Sequence, residues 1–177
     1  MYDKKEFLEK VNEFIVSDNQ IALIKGYENY LKFLGVLKVL NTTDYKNGTI
    51  HTRAIGRLKD LLFEKQIIPK NVKQHQRFRL NNLTLNIDLY ERNIYSNNDF
   101  SIYYPVESAL KNSSTYLINH IKNNDSKKIF IITTNDWDLN TDYIEEICDT
   151  TIILDIRHFD MESYKTIYRN KKGFMPY

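Results

Sequence analysis

The chain opens with apolar residues at helical spacing. Between Asp3 and Val16 the pattern matches one face of a helix, and Asp3 stands where an N-cap residue is expected. The apolar positions of this face are Phe7, Leu8, Val11, Phe14 and Ile15. The first segment is therefore predicted to be an amphipathic helix.

In the next part of the chain, the spacing of the apolar residues changes several times between that of a strand and that of a helix. IALIK, from Ile21, has the short continuous apolar run of a buried strand, and helical spacing returns from Glu28 to Leu40. TTDYKNGT is rich in turn residues and predicts a loop, and a further helix is expected from Ala54 to Lys65. IIPKNVKQHQRFRL contains Pro69 and many polar residues, which favours a loop or an irregular hairpin arm.

In the second half, strand patterns alternate with helical ones. NLTLNIDLY alternates apolar and polar residues, which predicts a half-buried strand that is antiparallel or at an edge. SIYYP predicts a short strand stopped by Pro105, whereas KKIFIITTN and TTIILDI are apolar enough for buried strands. The helices expected between and after them are Val106 to Lys122, Asp142 to Ile147, and Asp160 to Tyr168.

This alternation defines the expected fold class. Strands that are apolar on both faces need covering layers on both sides, and the helices between them can supply those layers. We predict one three-layer α/β domain over residues 1–177, with a mainly parallel central sheet, helices on both faces, and NLTLNIDLY near an edge.

Composition narrows the class of protein. The formal charge of +2 is too small to indicate nucleic-acid binding by itself, so only local clustering of cations could do so. A single cysteine, Cys148, and the lack of a long apolar segment predict a soluble cytoplasmic protein. Frequent Asn and Lys would suit an AT-rich genome, whether bacterial, phage or viral.

One stretch can be laid over a phosphate-binding motif. GYENYLKF matches the pattern G-x-x-x-x-G-K-[ST] at Gly26 and Lys32, but has Leu31 for the second glycine and Phe33 for the hydroxyl residue. It is either a phosphate loop that has lost parts, or a strand-turn-helix junction in which Lys32 is a solvated helix residue. Phe33 cannot ligate magnesium, so the loop is poorly equipped for hydrolysis.

A later stretch adds a family resemblance. KIFIITTNDWDLNTDYIEEICDTTIILDIR is similar to the part of AAA+ and related P-loop ATPases where a buried strand ends in a polar sensor residue. The resemblance implies a P-loop NTPase-like fold, with Asn135 at the sensor position and possible binding of ATP and magnesium through Gly26 and Lys32. The strand before Val106 lacks the family's acidic residues, and Glu107 is the nearest acid. The chain therefore resembles a degenerate member, which predicts a non-enzymatic binding or accessory protein in DNA transactions; the alternative is a competent ATPase.

A cationic segment offers a partner surface. No acidic residue occurs from Gln66 to Asn86, and Phe78 lies between two arginines, where it could stack on a base. The cations of this segment are Lys65, Lys70, Lys73, Arg77 and Arg79. They could contact nucleic acid or an acidic protein, or they could simply be solvated.

Other candidate chemistry is sparse. Asp155-Ile-Arg157 faintly resembles the acid-x-lysine signature of restriction-type nucleases, which makes a nuclease-like protein a second alternative. The aspartates around Asp138 lack the glycine and distal glutamate of an EF-hand, so no metal site is expected. His120 is expected on the partly exposed side of its helix, and Cys148 is expected to be a structural thiol.

Overall fold

The computed structural model describes residues 1–28, 30–53, 55–56, 58, 73, 76–89, 98–134 and 140–175, with the backbone alone at 108 and 111–114. The helix predicted from Ala54 to Lys65 lies almost wholly outside these residues.

The described part of the chain contains seven strands and five α-helices with defined bounds, and residues 55, 56 and 58 are helical as well. The strands are β1 Ile21–Gly26, β2 Asn47–Thr52, β3 Phe78–Leu80, β4 Leu83–Leu89, β5 Phe100–Tyr103, β6 Lys128–Ile132 and β7 Thr150–Leu154. The helices are α1 Lys4–Val16, α2 Leu31–Leu40, α3 Glu107–Lys122, α4 Asp142–Glu145 and α5 Met161–Asn170, with a 3-10 turn at Ile156–His158. Asp3 caps α1 as predicted, since its carboxylate accepts from the backbone N–H of Lys5 and Glu6.

The strands form one sheet in the order β3-β4-β2-β5-β6-β1-β7. All neighbours pair in parallel except β3 and β4, which pair antiparallel. The six parallel strands therefore all end on the same side of the sheet, which we call its carboxyl edge, and the opposite side is its amino edge.

Helices cover both faces of this sheet. Residues of α1 and α2 pack with the apolar side chains of every strand on one side, which we call the α1/α2 face. Residues of α3 and α4 pack on the other side, the α3/α4 face, against Leu23, Tyr103, Ile129 and Ile131. This arrangement confirms the predicted three-layer α/β fold with a mainly parallel sheet.

The α3/α4 face changes character across the sheet. Over β1 and β6 it is apolar, but over β4, β2 and β5 it is polar and nevertheless buried. The polar strand residues, each at most 9% exposed, are Asn86, Asp88, Thr49, His51, Ser101 and Tyr103. From α3 and the loop after it, His120 and Asn124 close over them by bonding the Tyr103 hydroxyl at 2.8 and 2.9 Å. A buried polar layer, hydrogen-bonded around Ser101 and Tyr103, thus replaces apolar packing here.

Several sequence predictions need correction at this layer. β4 is not half-exposed, because its polar face is buried. It pairs antiparallel with the edge strand β3 and lies second from the edge, which confirms the predicted antiparallel pairing near an edge, and it pairs in parallel with β2 on its other side. NGTIHT was assigned partly to a loop, but it forms β2 in the middle of the sheet, because its polar residues face buried polar partners instead of water. His120 is 7% exposed and not on an exposed side of α3.

Smaller differences concern element boundaries. α2 begins at Leu31 and not at Glu28, and α4 is a single turn that ends at Glu145. β7 is an edge strand whose Thr151 is exposed, although its sequence predicted a fully buried strand. Within the described residues, no helix combines the length and apolarity that crossing a bilayer requires.

Candidate functional site

The connections that follow β1 and β6 run to opposite faces of the sheet, and we call the space beyond the carboxyl ends of these two strands the crevice. The chain leaves β1 toward α2 on the α1/α2 face, and it leaves β6 toward α4 on the opposite face. Neighbouring parallel strands whose connections diverge in this way leave space beyond their carboxyl ends, where α/β proteins commonly bind ligands. The phosphate-loop candidate and the end of IFIITT border this crevice.

Gly26 ends β1 in a conformation that a side chain would strain. Its φ is +135°, and a Cβ built on it would lie 2.5 Å from the carbonyl oxygen of Leu154 on β7. Contact with the neighbouring strand therefore requires glycine at this position, whatever the loop binds.

Lys32 lies in the first turn of α2 and is fully buried. Its Nζ donates to the carbonyl oxygen of Gly26, to the carbonyl oxygen of Thr134 at 3.2 Å, and to Thr133 Oγ1 at 3.4 Å. The interpretation of Lys32 as a solvated helix residue is thus wrong. The side chain instead spans the crevice and joins the β1 loop to the end of β6.

The amino terminus of α2 is occupied by a carboxylate of the same chain. Glu28 accepts hydrogen bonds from the backbone N–H of Tyr30 at 2.7 Å and from that of Leu31. Free N–H groups and the helix dipole make such a terminus attractive to anions, so a phosphate is the ligand expected there in a working phosphate loop. Glu28 takes that place here.

A second carboxylate lies at the end of β6. Glu107, the first residue of α3, accepts from the backbone N–H of Thr134 and from its hydroxyl at 2.8 Å. Tyr104 stacks on Phe33 with ring centroids 4.8 Å apart, and burial together with the nearby Tyr30, Glu107 and Glu28 raises the pKa of its hydroxyl. Two carboxylates thus border the crevice into which a nucleotide would bring further negative charge.

The geometry limits what the loop can do. An entering phosphate must displace Glu28 from the α2 terminus and Lys32 from its carbonyl partners. Phe33 is fully buried and packs in the core, where a magnesium-binding hydroxyl would be needed. Asn135, the predicted sensor residue, lies outside the described residues.

Sequence reasoning identified Gly26 and Lys32 but not the groups that hold Lys32. The signals were present: a glutamate two residues after the glycine and just before a helix, and two threonines directly after an apolar strand. Either signal is common, and only the pairing of β1 with β6 brings them together.

The described part of the basic segment, at and next to β3, lies far from this crevice. Lys73, Arg77 and Arg79 are exposed, and Lys65 and Lys70 fall outside the described residues. Five strand spacings separate β3 from β1, or about 24 Å across the sheet. Phe78 is 8% exposed and packs in the core, so the expected stacking of Phe78 on a base is wrong.

The nuclease-like signature forms an internal ion pair. Both carboxylate oxygens of Asp155 accept from Arg157 Nε, at 2.8 and 2.9 Å, and this hydrogen bonding lowers the pKa of Asp155. Among the described residues, no group of three or more His, Cys, Asp or Glu side chains could hold a metal ion. Burial raises the pKa of the Cys148 thiol to about 12, which favours an unreactive thiol.

Comparisons with known proteins add no relative. No protein-family model matches the chain, and neither the curated proteins nor the solved structures gave a significant match.

Proposed function

We propose that this chain is a non-enzymatic binding or accessory protein on a degenerate P-loop NTPase-like scaffold, acting in DNA transactions of a phage, virus or mobile element. The observation that carries the proposal is the Glu28 carboxylate on the amino terminus of α2. The loop keeps the shape of a phosphate-binding loop, but a carboxylate of the same chain occupies the position where a phosphate would bind.

The arrangement of strands supports the scaffold part of the proposal. β1, which leads into the phosphate-loop candidate, pairs in parallel with β6, which leads to the sensor candidate. Lys32 of α2 contacts both Thr133 and Thr134 at the end of β6. The role in DNA transactions rests on the family's range of functions.

The rival is a competent ATPase that uses Gly26 and Lys32, with Asn135 positioning water. A specific observation favours it, because a buried lysine at a helix amino terminus is costly unless something there requires it. In this rival, Glu28 would swing away and the Lys32 ammonium would move to the phosphates.

Calorimetric titration with ATP and magnesium separates the two. We expect a dissociation constant of about 1 mM or weaker. The phosphates of a nucleotide would have to displace Glu28 from the α2 terminus and the carbonyl groups from Lys32, so the new hydrogen bonds would only replace existing ones. Micromolar binding that Lys32→Ala abolishes and Lys38→Ala preserves would defeat the non-enzymatic proposal. Binding that appears only in Glu28→Gln would support it, since the carboxylate would then be what excludes phosphate.

The partner surface proposed for this function is the basic segment from Lys65 to Arg79, binding nucleic acid or an acidic protein. If it contacts nucleic acid, Arg77→Ala and Arg79→Ala should each reduce the slope of log affinity against log salt by about one unit. The variant in which all five cations become Gln provides the decisive measurement. If its DNA affinity at low salt equals that of the parent, the segment does not bind DNA.

A further inference from the structure

Helix α5 packs on little of the molecule. Asp160 caps its first turn, Gly173 follows it with a φ of +82°, and none of its residues is buried. Its main contact is with the 3-10 turn Ile156–His158, next to the edge strand β7. We call residues 159–175 the α5 surface.

Large apolar side chains are concentrated on this surface. Phe159 is 37% exposed, Met161 45%, Tyr168 48% and Phe174 82%. Tyr164, which is half-buried, lies 6.2 Å from Tyr168 between ring centroids. Single exposed apolar side chains are common on protein surfaces, but here four large ones, three of them aromatic, lie within sixteen residues. Such a concentration indicates an interaction surface.

Cations flank the aromatic side chains. Between residues 159 and 175 there are four Lys or Arg and two Asp or Glu, so this short segment carries a net charge of +2, equal to that of the whole chain. Lys165 and Arg169 are four residues apart and share one side of α5, and Lys172 follows two residues after the end of the helix. None of these three has an acidic partner within ion-pair distance among the described residues.

We propose that the α5 surface binds single-stranded nucleic acid. Proteins bind such strands without sequence preference by combining cations that follow the phosphates with aromatic rings on which bases stack. The three cations Lys165, Arg169 and Lys172 can neutralise up to three phosphates of one strand. Tyr168 and Phe174 supply exposed rings in the same segment.

The chemistry of the apolar side favours a nucleic acid over a membrane. Its exposed members are mainly aromatic, and Met161 is its one exposed aliphatic side chain among the described residues. A ten-residue helix with so narrow an aliphatic face buries too little apolar area for stable membrane association. This surface is separate from the crevice and from the basic segment at the other edge of the sheet, so the inference does not depend on the proposed function.

Fluorescence anisotropy of a labelled 20-nucleotide oligo-dT, titrated with the full chain at 50 and 200 mM KCl, tests the inference. Three neutralised phosphates predict a salt slope of about −2 from this surface, or a loss of about 16-fold in affinity between the two salt concentrations. The variant Lys165→Gln/Arg169→Gln/Lys172→Gln should bind at least about tenfold more weakly at 50 mM and lose that slope. Tyr168→Ala/Phe174→Ala should also weaken binding about tenfold, but with the slope retained, because stacking is not ionic.

Matched variants elsewhere on the chain provide the controls. Lys4→Gln/Lys38→Gln/Lys122→Gln removes the same charge from exposed positions, and Tyr116→Ala/Tyr143→Ala removes two exposed rings. Both control variants should bind like the parent. The inference is overturned if the oligonucleotide does not bind, if the controls lose as much affinity, or if only Arg77→Ala/Arg79→Ala matters. Binding to phosphatidylserine vesicles in place of the oligonucleotide would overturn it as well.

Discussion

Two lysines are buried at opposite edges of the same sheet, and their surroundings differ. Lys128 begins β6 at the amino edge and donates to the carbonyl oxygens of Phe14 at 3.1 Å, Ser17 at 2.6 Å and Asn19, where α1 ends. Lys32 lies at the carboxyl edge, in the first turn of α2. A helix carries partial negative charge at its carboxyl end and partial positive charge at its amino end, so only Lys128 is placed where a cation is favoured.

The difference separates a structural lysine from a candidate site residue. Lys128 replaces missing hydrogen-bond donors at the end of α1, and it also lies 4.9 Å from the centroid of the Phe14 ring. Lys32 also donates to three groups, but its charge opposes the dipole of its own helix. A buried lysine that stability alone would not favour is more informative about function than one that stability explains.

The largest effect is expected at the structural lysine. Lys128→Met removes the buried donor of the Ser17 and Asn19 carbonyl groups, just beyond the end of α1, and one of the donors of the Phe14 carbonyl group. The free energy of unfolding should therefore fall by about 3 kcal/mol. Urea denaturation measures it. The neighbouring, exposed Lys127 provides the control, because Lys127→Met removes only a surface ion pair with Asp99 and should cost about 0.5 kcal/mol. A loss below about 1 kcal/mol in Lys128→Met would remove the basis for calling this lysine structural.

An intermediate effect is expected from acid. Burial, and to a lesser extent the charge of His120, lowers the pKa of His51 to about 3, so the folded protein holds this imidazole neutral. The unfolded chain takes up a proton near pH 6.5 and the folded chain does not, so stability is highest above that pH and falls with acid down to about pH 3. Between pH 8 and pH 5 the loss should be about 2 kcal/mol.

The control for this acid effect is the variant His51→Phe, which keeps a ring where His51 stacks on Tyr103 at 4.6 Å. Urea denaturation at pH 8, 6.5 and 5 should show a flatter profile for the variant than for the parent. Parallel profiles would mean that another group causes the acid sensitivity.

The smallest effect is expected at the crevice. Lys32→Met removes a cation from the unfavourable end of α2, and this gain offsets part of the lost hydrogen bonds, so the cost should be about 1 kcal/mol. The exposed Lys38 in the last turn of the same helix is the matched control. If Lys32→Met costs as much as Lys128→Met, the two lysines have the same role and the comparison fails.

The sequence predicted the apolar layers better than the polar ones. The strand at IFII and the amphipathic α1 were found because apolar residues bury themselves in almost any fold. β2 was missed because Thr49 and His51 look solvated until Ser101 and Tyr103 of β5 are beside them. A buried polar face depends on partners distant in sequence, which no local pattern contains.

The candidate site shows the same limit. The motif drew attention to Gly26 and Lys32, but it could not show that the lysine is buried or that Glu28 occupies the helix terminus. Both facts depend on a loop conformation and on the pairing of β1 with β6. The resemblance to P-loop ATPases stays a prediction, since no comparison tests it.

The close approach of Gly26 to Leu154 also changes how a motif match should be weighted. In a library that randomises residue 26, glycine alone should survive selection for folding, even in a background that already carries Lys32→Met, because the obstacle is the carbonyl group of β7. A requirement imposed by strand packing carries no information about a ligand. Of the two matched positions in GYENYLKF, only the lysine is therefore left to indicate ancestry or activity.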